Sequence, residues 1–136
     1  MSQLDFRLSP ALSNATLNGF FSVGWPSWQK SSDTSDWQPV LQRSLVYIGA
    51  FDRDRLVGFV NVAWDGRDHA FILDTRVDPD YRHLRLGGEL VARAARAAKD
   101  AGCEVLHVDC APELQPFNEA CGFRPTAAGL IDLNTL

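Results

Sequence analysis

The run Val77-Asp78-Pro79-Asp80-Tyr81-Arg82-His83-Leu84-Arg85-Leu86-Gly87-Gly88-Glu89-Leu90 decides how this chain is read. Upstream of it, residues 70–77 form an apolar-rich strand that Pro79 stops, since proline has no N–H for a ladder. Downstream, Leu86, Leu90, Ala94, Ala97 and Ala101 recur at helical steps, with Glu89, Arg93, Arg96 and Asp100 on the opposite face. The spacing predicts a helix over 86–101, ended by Gly102. A strand, a polar turn and a helix opened by glycines can bind phosphate. Free backbone N–H groups and the positive helix end supply the attraction, and glycine lets the backbone approach closely. A helix start with two glycines for tight packing is the competing reading. The spacing is not G-x-x-x-x-G-K-[ST], which excludes a Walker-type NTPase, and G-x-G-x-x-G after the first strand is also missing, which disfavours a Rossmann site.

Working outward, residues 45–51 and 56–64 read as strands flanking the polar connection Asp52-Arg53-Asp54-Arg55, and Asp65-Gly66 marks the next turn. Residues 3–8 alternate polar and apolar, as a half-buried first strand should. Ser9-Pro10 is expected to open a helix with Leu12, Leu17, Phe20 and Phe21 on its apolar side. Residues 25–39 hold Trp25, Trp28 and Trp37 in an irregular segment, as satellite core or as the wall of an acceptor pocket. After the long helix come a fifth strand at 105–108, a helix at 113–121, and a last hairpin from Gly122-Phe123 that ends at 130–133. The expected class is α/β with a mixed sheet: an antiparallel meander, then strand–helix–strand. The helical crossover makes the fourth and fifth strands parallel.

Composition bounds the function. The chain has 136 residues, 13 basic against 17 acidic, for a net charge of −4. That length fits one domain over 1–136, and the acidic balance argues against a nucleic-acid or membrane-surface partner. No apolar run approaches the roughly 18 residues of a membrane span, and no secretory signal is legible, so a cytoplasmic location is expected. Cys103, Cys110 and Cys121 form no C-x-x-C pair and read as buried thiols in a reducing compartment. A covalent acyl-cysteine is the sharper alternative, with His107 as the only neighbouring base in sequence. No His, Cys and carboxylate spacing suits a metal.

The run 77–90 resembles the acyl-CoA-binding motif of the GNAT superfamily of N-acetyltransferases. There, a valine and a proline end the fourth strand, and an Arg or Gln leads a phosphate loop of the form Arg/Gln-x-x-Gly-x-Gly/Ala. Arg82, Leu86, Gly87 and Leu90 match without a gap. Phe117-Asn118-Glu119-Ala120-Cys121-Gly122-Phe123 is similar to the family's Phe-Tyr-x-x-x-Gly-Phe, and the likeness covers about residues 40–136. The resemblance implies a GNAT-like fold and acetyl-CoA as acyl donor. It implies cofactor contacts from Val77, Arg82, His83, Leu84, Arg85, Leu86, Gly87, Gly88 and Phe117. It further implies pantetheine held between splayed fourth and fifth strands, a backbone N–H near Val77 that polarises the carbonyl, and direct attack by the amine.

Two positions depart from the family pattern. Arg85 replaces the first loop glycine, where a positive φ would cost on the order of 1 kcal/mol, although its guanidinium suits a phosphate. Asn118 replaces a tyrosine that would protonate the departing thiolate, and an amide has no proton to give at neutral pH. For the base, Asp74 lies three residues before Val77; the bland reading is a strand carboxylate beside Arg76. His107 and Asp109 are weaker candidates, His83 reads as a loop residue and His69 as part of a turn.

The function expected is acetyl-CoA-dependent N-acetylation of a primary amine on a small molecule or peptide, with Asp74 and Asn118 at the reacting atoms. The alternative is a non-catalytic acyl-CoA-binding or regulatory module of the same fold, which Arg85 and Asn118 motivate. The sequence does not identify the acceptor, and it sets a homodimer only slightly ahead of a monomer.

Overall fold

The computed structural model describes residues 3–23 and 34–136. Its elements are β1 (Asp5–Leu8), α1 (Asn14–Ser22), α2 (Gln38–Arg43), β2 (Val46–Asp52), β3 (Arg55–Trp64), β4 (His69–Val77), α3 (Leu86–Asp100), β5 (Val105–Val108) and α4 (Gln115–Ala120). Short 3-10 turns cover Pro79–Leu84, Pro112–Leu114 and Leu133–Thr135. The strands form one sheet in the order β1-β2-β3-β4-β5, antiparallel except for the β4–β5 pair. That parallel pair follows from the crossover through α3.

Strand alternation divides the core between the two sheet faces. Val46, Ile48, Ala50, Val60, Val62, Ala70 and Ile72 meet the apolar stripe Leu86, Leu90, Ala94 and Ala98 of α3. Gly58 is what lets α3 sit so close. A Cβ there would stand 3.0 Å from Leu90 and 3.2 Å from Leu86. On the other face, Tyr47, Phe51 and Phe59 pack with Leu17, Phe21, Trp37 and Leu41. Phe21 stacks on Trp37 at 4.8 Å, and the Trp37 indole N–H donates to Asn18 at 2.9 Å. Burying a residue such as Leu17 or Phe59 contributes about 1.5–3 kcal/mol each.

Three sequence expectations are corrected. The first helix starts at Asn14, not at Pro10: Ser13 is its N-cap, accepting from the Thr16 N–H at 3.0 Å, while Ser9 turns the chain at φ 47°. The helix expected at 113–121 divides into a 3-10 turn and the six-residue α4. The last hairpin does not form: residues 124–132 pair with no strand among the described residues. Trp25 and Trp28 lie outside the described residues, whereas Trp37 is core.

Candidate active site

The β4–β5 ladder ends early. Its register runs from His69↔Val105 to Ile72↔Val108, but β4 continues to Val77. Beyond Ile72, β4 keeps only β3 as a partner among the described residues, through Leu73, Arg76 and Val77. A bulge sits in the same stretch. Phe59 pairs with Arg76 and Asn61 with Leu73, so Asp74 and Thr75 together oppose the single residue Val60. Asp74 absorbs the irregularity in a left-handed conformation, φ 57°, which an aspartate tolerates better than most residues.

The bulge turns Asp74 toward Asn61. The Asn61 amide donates to the Asp74 carboxylate, and its oxygen accepts from the Ser44 hydroxyl. Partial burial raises the Asp74 pKa above the ordinary carboxylate range, and the Asn61 bond opposes that rise without cancelling it. Arg76, only 4% exposed, donates to the Val23 carbonyl at the end of α1 and lies 6.0 Å from the Phe21 ring. The Thr75 hydroxyl is buried with no hydrogen-bond partner among the described residues. Sequence reasoning missed Asn61 and Thr75. A legible signal was available for Asn61, the one polar residue between Leu56 and Ala63.

The loop after β4 is built by Asp78. Its carboxylate accepts from the Asp80 N–H at 2.9 Å, its carbonyl accepts from the Tyr81 N–H at 2.8 Å, and its own N–H donates to Val57. Arg82 folds back so that Nε approaches the Val77 carbonyl at 3.4 Å. Arg85 then takes φ 56°, ψ 27° as the N-cap of α3, with no side-chain cap bond. The positive φ suspected at the missing glycine is present, and arginine carries its cost. Gly87 lies in the first turn of α3. A Cβ on it would stand 3.3 Å from the Phe117 ring and 3.8 Å from Val77. The two motifs read separately in sequence thus meet at one spot: the end of β4, the opening of α3 and the side of α4. Gly88 faces open space. Leu84 is half-buried and Leu86 is core, while His83 belongs to the turn and its side chain lies outside what the structure describes.

Asn118 is buried in α4, next to Phe117, and its carbonyl accepts from the Cys121 and Phe123 N–H groups. The weaker base candidates sit elsewhere. His107 stacks on Phe71 at 4.7 Å and pairs with His69 at 2.9 Å, toward the start of β4, and Asp109 is exposed beyond β5. His69 opens β4, where a turn was expected. All three cysteines are free, and burial raises the thiol pKa of Cys103 and Cys121, the reverse of what a nucleophilic thiolate needs. No cluster of three or more metal-ligating groups occurs among the described residues, and no described helix is long and apolar enough to cross a membrane. A cleft of about 520 Å³ between β1 and the loop is lined by Leu4, Phe6, Arg85 and Glu89, and it adjoins Arg85 without reaching Asp74 or Asn118.

A mixed sheet with β4 and β5 parallel, then parted beside a glycine-opened helix, is the fold of GNAT acetyltransferases. The chain belongs to that family: the family described as Acetyltransferase (GNAT) matches residues 14–123. An acetyltransferase structure from Deinococcus radiodurans R1 superposes with a TM-score of 0.73 at 27% identity, covering 99% of this chain and 95% of the other. An aminoglycoside N-acetyltransferase in complex with CoA gives 0.75 at 22% identity, with 97% and 95% covered, a likeness of fold. An uncharacterized ycf52-like N-acetyltransferase from Prochlorococcus marinus is 31% identical over 106 residues, 75% of this chain and 57% of that protein. A probable glucosamine 6-phosphate N-acetyltransferase from Oryza sativa is 42% identical over 50 residues, 37% of this chain and 30% of that protein. The matches span under two thirds of either relative's length.

Proposed function

We propose that residues 1–136 are one N-acetyltransferase domain that moves an acetyl group from acetyl-CoA to a primary amine of a small molecule or peptide. The observation that carries this reading is the 73–77 stretch of β4, which has no partner strand on its β5 side among the described residues and leads into the glycine-opened start of α3. An amide-rich pantetheine chain needs a strand edge with no other strand on it, and a pyrophosphate needs free helix N–H groups. The residues fit the group on both counts. The relative in complex with CoA supports the same ligand class.

In this reading Arg82 and Arg85 bring guanidinium charge to the phosphates, with the loop 82–88 giving its N–H groups. Gly87 keeps the backbone bare, and Phe117 backs it as an apolar wall. Bound acetyl-CoA would supply the activated acyl group as a thioester. A backbone N–H near Val77 polarises its carbonyl, and Asp74 receives the proton of the attacking amine. The raised carboxyl pKa of Asp74 brings it nearer the working pH of a base. Asn118 offers the thiolate side of the site an N–H but no acid proton.

Calorimetry of acetyl-CoA with wild type and Gly87→Val tests the cofactor site, and acetyl-CoA consumption over a panel of amines tests turnover. Binding lost in a folded Gly87→Val supports the site, and unchanged affinity removes it. Tight binding with no amine-dependent turnover at any pH points instead to the non-catalytic acyl-CoA module, which Arg85 and Asn118 favour.

A further inference from the structure

We propose that His69 and His107 form a two-histidine site for a late divalent transition ion, nickel(II) or copper(II), with water in its remaining positions. Nδ1 of His69 and Nε2 of His107 face one another at 2.9 Å. The two residues stand 38 positions apart, so no local spacing in the sequence announces them. Two of the chain's three histidines meet here.

Strand register makes the pair. His69 lies opposite Val105 and Phe71 opposite His107, so the two histidines are diagonal neighbours on one face of the parallel β4–β5 ladder. That face is turned away from α3, whose stripe packs on Ala70 and Ile72. Both donors are held in place. The His107 ring stacks on Phe71 at 4.7 Å and on His69 at 5.2 Å. The His69 N–H donates to Asp65 Oδ1 at 3.1 Å, and its carbonyl accepts from the Asp65 N–H at 3.0 Å. The Asp68 carbonyl accepts from the N–H groups of Glu104 and Val105 at 2.8 and 3.2 Å, which fastens the start of β5 to the same turn. Ligands fixed on two paired strands need little further ordering to close on an ion.

Imidazole nitrogen suits nickel, copper and zinc alike, so geometry decides among them. With metal–nitrogen bonds of about 2.0–2.1 Å, two cis ligands of a tetragonal ion stand about 2.8–3.0 Å apart, and two ligands of a tetrahedral ion about 3.3–3.4 Å. The spacing found here is the tetragonal one, so the rings need to tilt toward the ion and not to move apart. In the present hydrogen bond one facing nitrogen carries a proton and the other accepts it. An ion needs both nitrogens bare. The donor ring provides this by changing tautomer, its proton moving to its other nitrogen with no net loss. His69 is exposed, so the ion and its waters reach the pair from solvent. Asp65 Oδ1 is already engaged by the N–H groups of Arg67, Asp68 and His69, which leaves that carboxylate as a nearby negative charge. A bound ion clamps β4 to β5 at their paired end, opposite the end where the strands part. The proposal does not depend on the cofactor reading.

Equilibrium dialysis of the untagged, EDTA-treated chain against nickel(II) chloride tests it. Wild type and His83→Gln should each retain one nickel per chain, saturably. His69→Gln and His107→Gln should each weaken retention by about 10²-fold or more, the advantage of two linked ligands over one. Both should keep the wild-type circular dichroism spectrum; if His107→Gln does not fold, His69→Gln, which alters an exposed ring, decides alone. Nickel should also raise the thermal midpoint of wild type and leave that of His69→Gln unchanged. A wild type that retains no nickel overturns the proposal. So does nickel retained equally by His69→Gln, or lost in a folded His83→Gln, either of which would place the ion elsewhere.

Discussion

The Tyr81 hydroxyl donates to the Asp52 carboxylate across 2.5 Å, joining the loop before α3 to the turn between β2 and β3. Three residues on, Arg55 Nη2 meets the Asp78 carboxylate at 2.8 Å, and its guanidinium lies 5.6 Å from the Tyr81 ring. Asp78 is 5% exposed, so removing its cation leaves a carboxylate in poor solvent. Arg55→Gln should therefore cost about 1–3 kcal/mol in urea denaturation at neutral pH. Loop amides 79–87 should also exchange faster. A loss below roughly 0.5 kcal/mol would leave the pair no more than an ordinary surface contact.

The same pair decides a question about acids. The Asp52 carboxylate holds the Tyr81 proton in place and raises its pKa above that of a free phenol. The bond's stabilisation is thus complete just below the ordinary tyrosine range near 10 and fades as pH rises through the raised value. Tyr81 is engaged with the β2–β3 turn and has no proton to spare for a thiolate.

Much of this was legible in sequence, for physical reasons. The β4–α3–β5 unit carries two strong periodicities and two clean stops, Pro79 and Gly102, and its strand at 105–108 fell where expected. Ser9-Pro10 and Ser13 both look like helix starts locally, and only the Ser9 turn onto the Tyr47 carbonyl, at 2.6 Å, settles the choice. The hairpin expected from Gly122-Phe123 to 130–133 rests on a local turn signal, yet a strand also needs an edge to join, and local pattern is silent about that. The Asp74 bulge was invisible because aspartate at positive φ leaves no mark in sequence; it exists only through the β3 register.

Arg85 carries a backbone cost that glycine would not. Arg85→Gly should stabilise the fold by about 0.5–1 kcal/mol, the αL penalty less the added freedom of the unfolded chain. Acetyl-CoA binding should weaken at low salt, and the gap from wild type should narrow as salt screens the lost guanidinium. An equal or larger gap at high salt would show that Arg85 shapes the loop and does not act through its charge.

Asp74→Asn separates stability from chemistry. Asparagine tolerates positive φ and keeps an oxygen for the Asn61 amide. The folded pKa of Asp74 lies above its unfolded value, so folding favours its protonated form. Wild type should match the variant well below pH 4, where the carboxyl is protonated in both states, and fall behind as pH rises through the folded value. At neutral pH the variant should be the more stable protein and the poorer enzyme, its kcat down about 10²–10⁴-fold at an acetyl-CoA KM close to wild type. A loss under tenfold would remove Asp74 as the base.

Asn118 tests how much a missing acid matters. Its carbonyl shapes the turn into Phe123 through bonds of 3.1 and 3.0 Å, while its side-chain amide makes no hydrogen bond among the described residues. Asn118→Ala keeps the carbonyl and loses no formed bond, so it should cost less than the roughly 1 kcal/mol of an average hydrogen bond. Its effect on kcat should be equally mild, because a thiol with a pKa near 8.5 leaves without full proton transfer. The wild-type rate should rise with pH as the amine loses its proton and then level off, without an alkaline decline. A decline above neutral pH, in a protein that stays folded there, would mean that some residue supplies a proton. Tyr81 is held by Asp52, which leaves Cys121, at the end of the same α4, whose thiol burial keeps protonated. Cys121→Ser would then move or abolish the falling limb, whereas a limb unchanged in that variant would exclude the thiol.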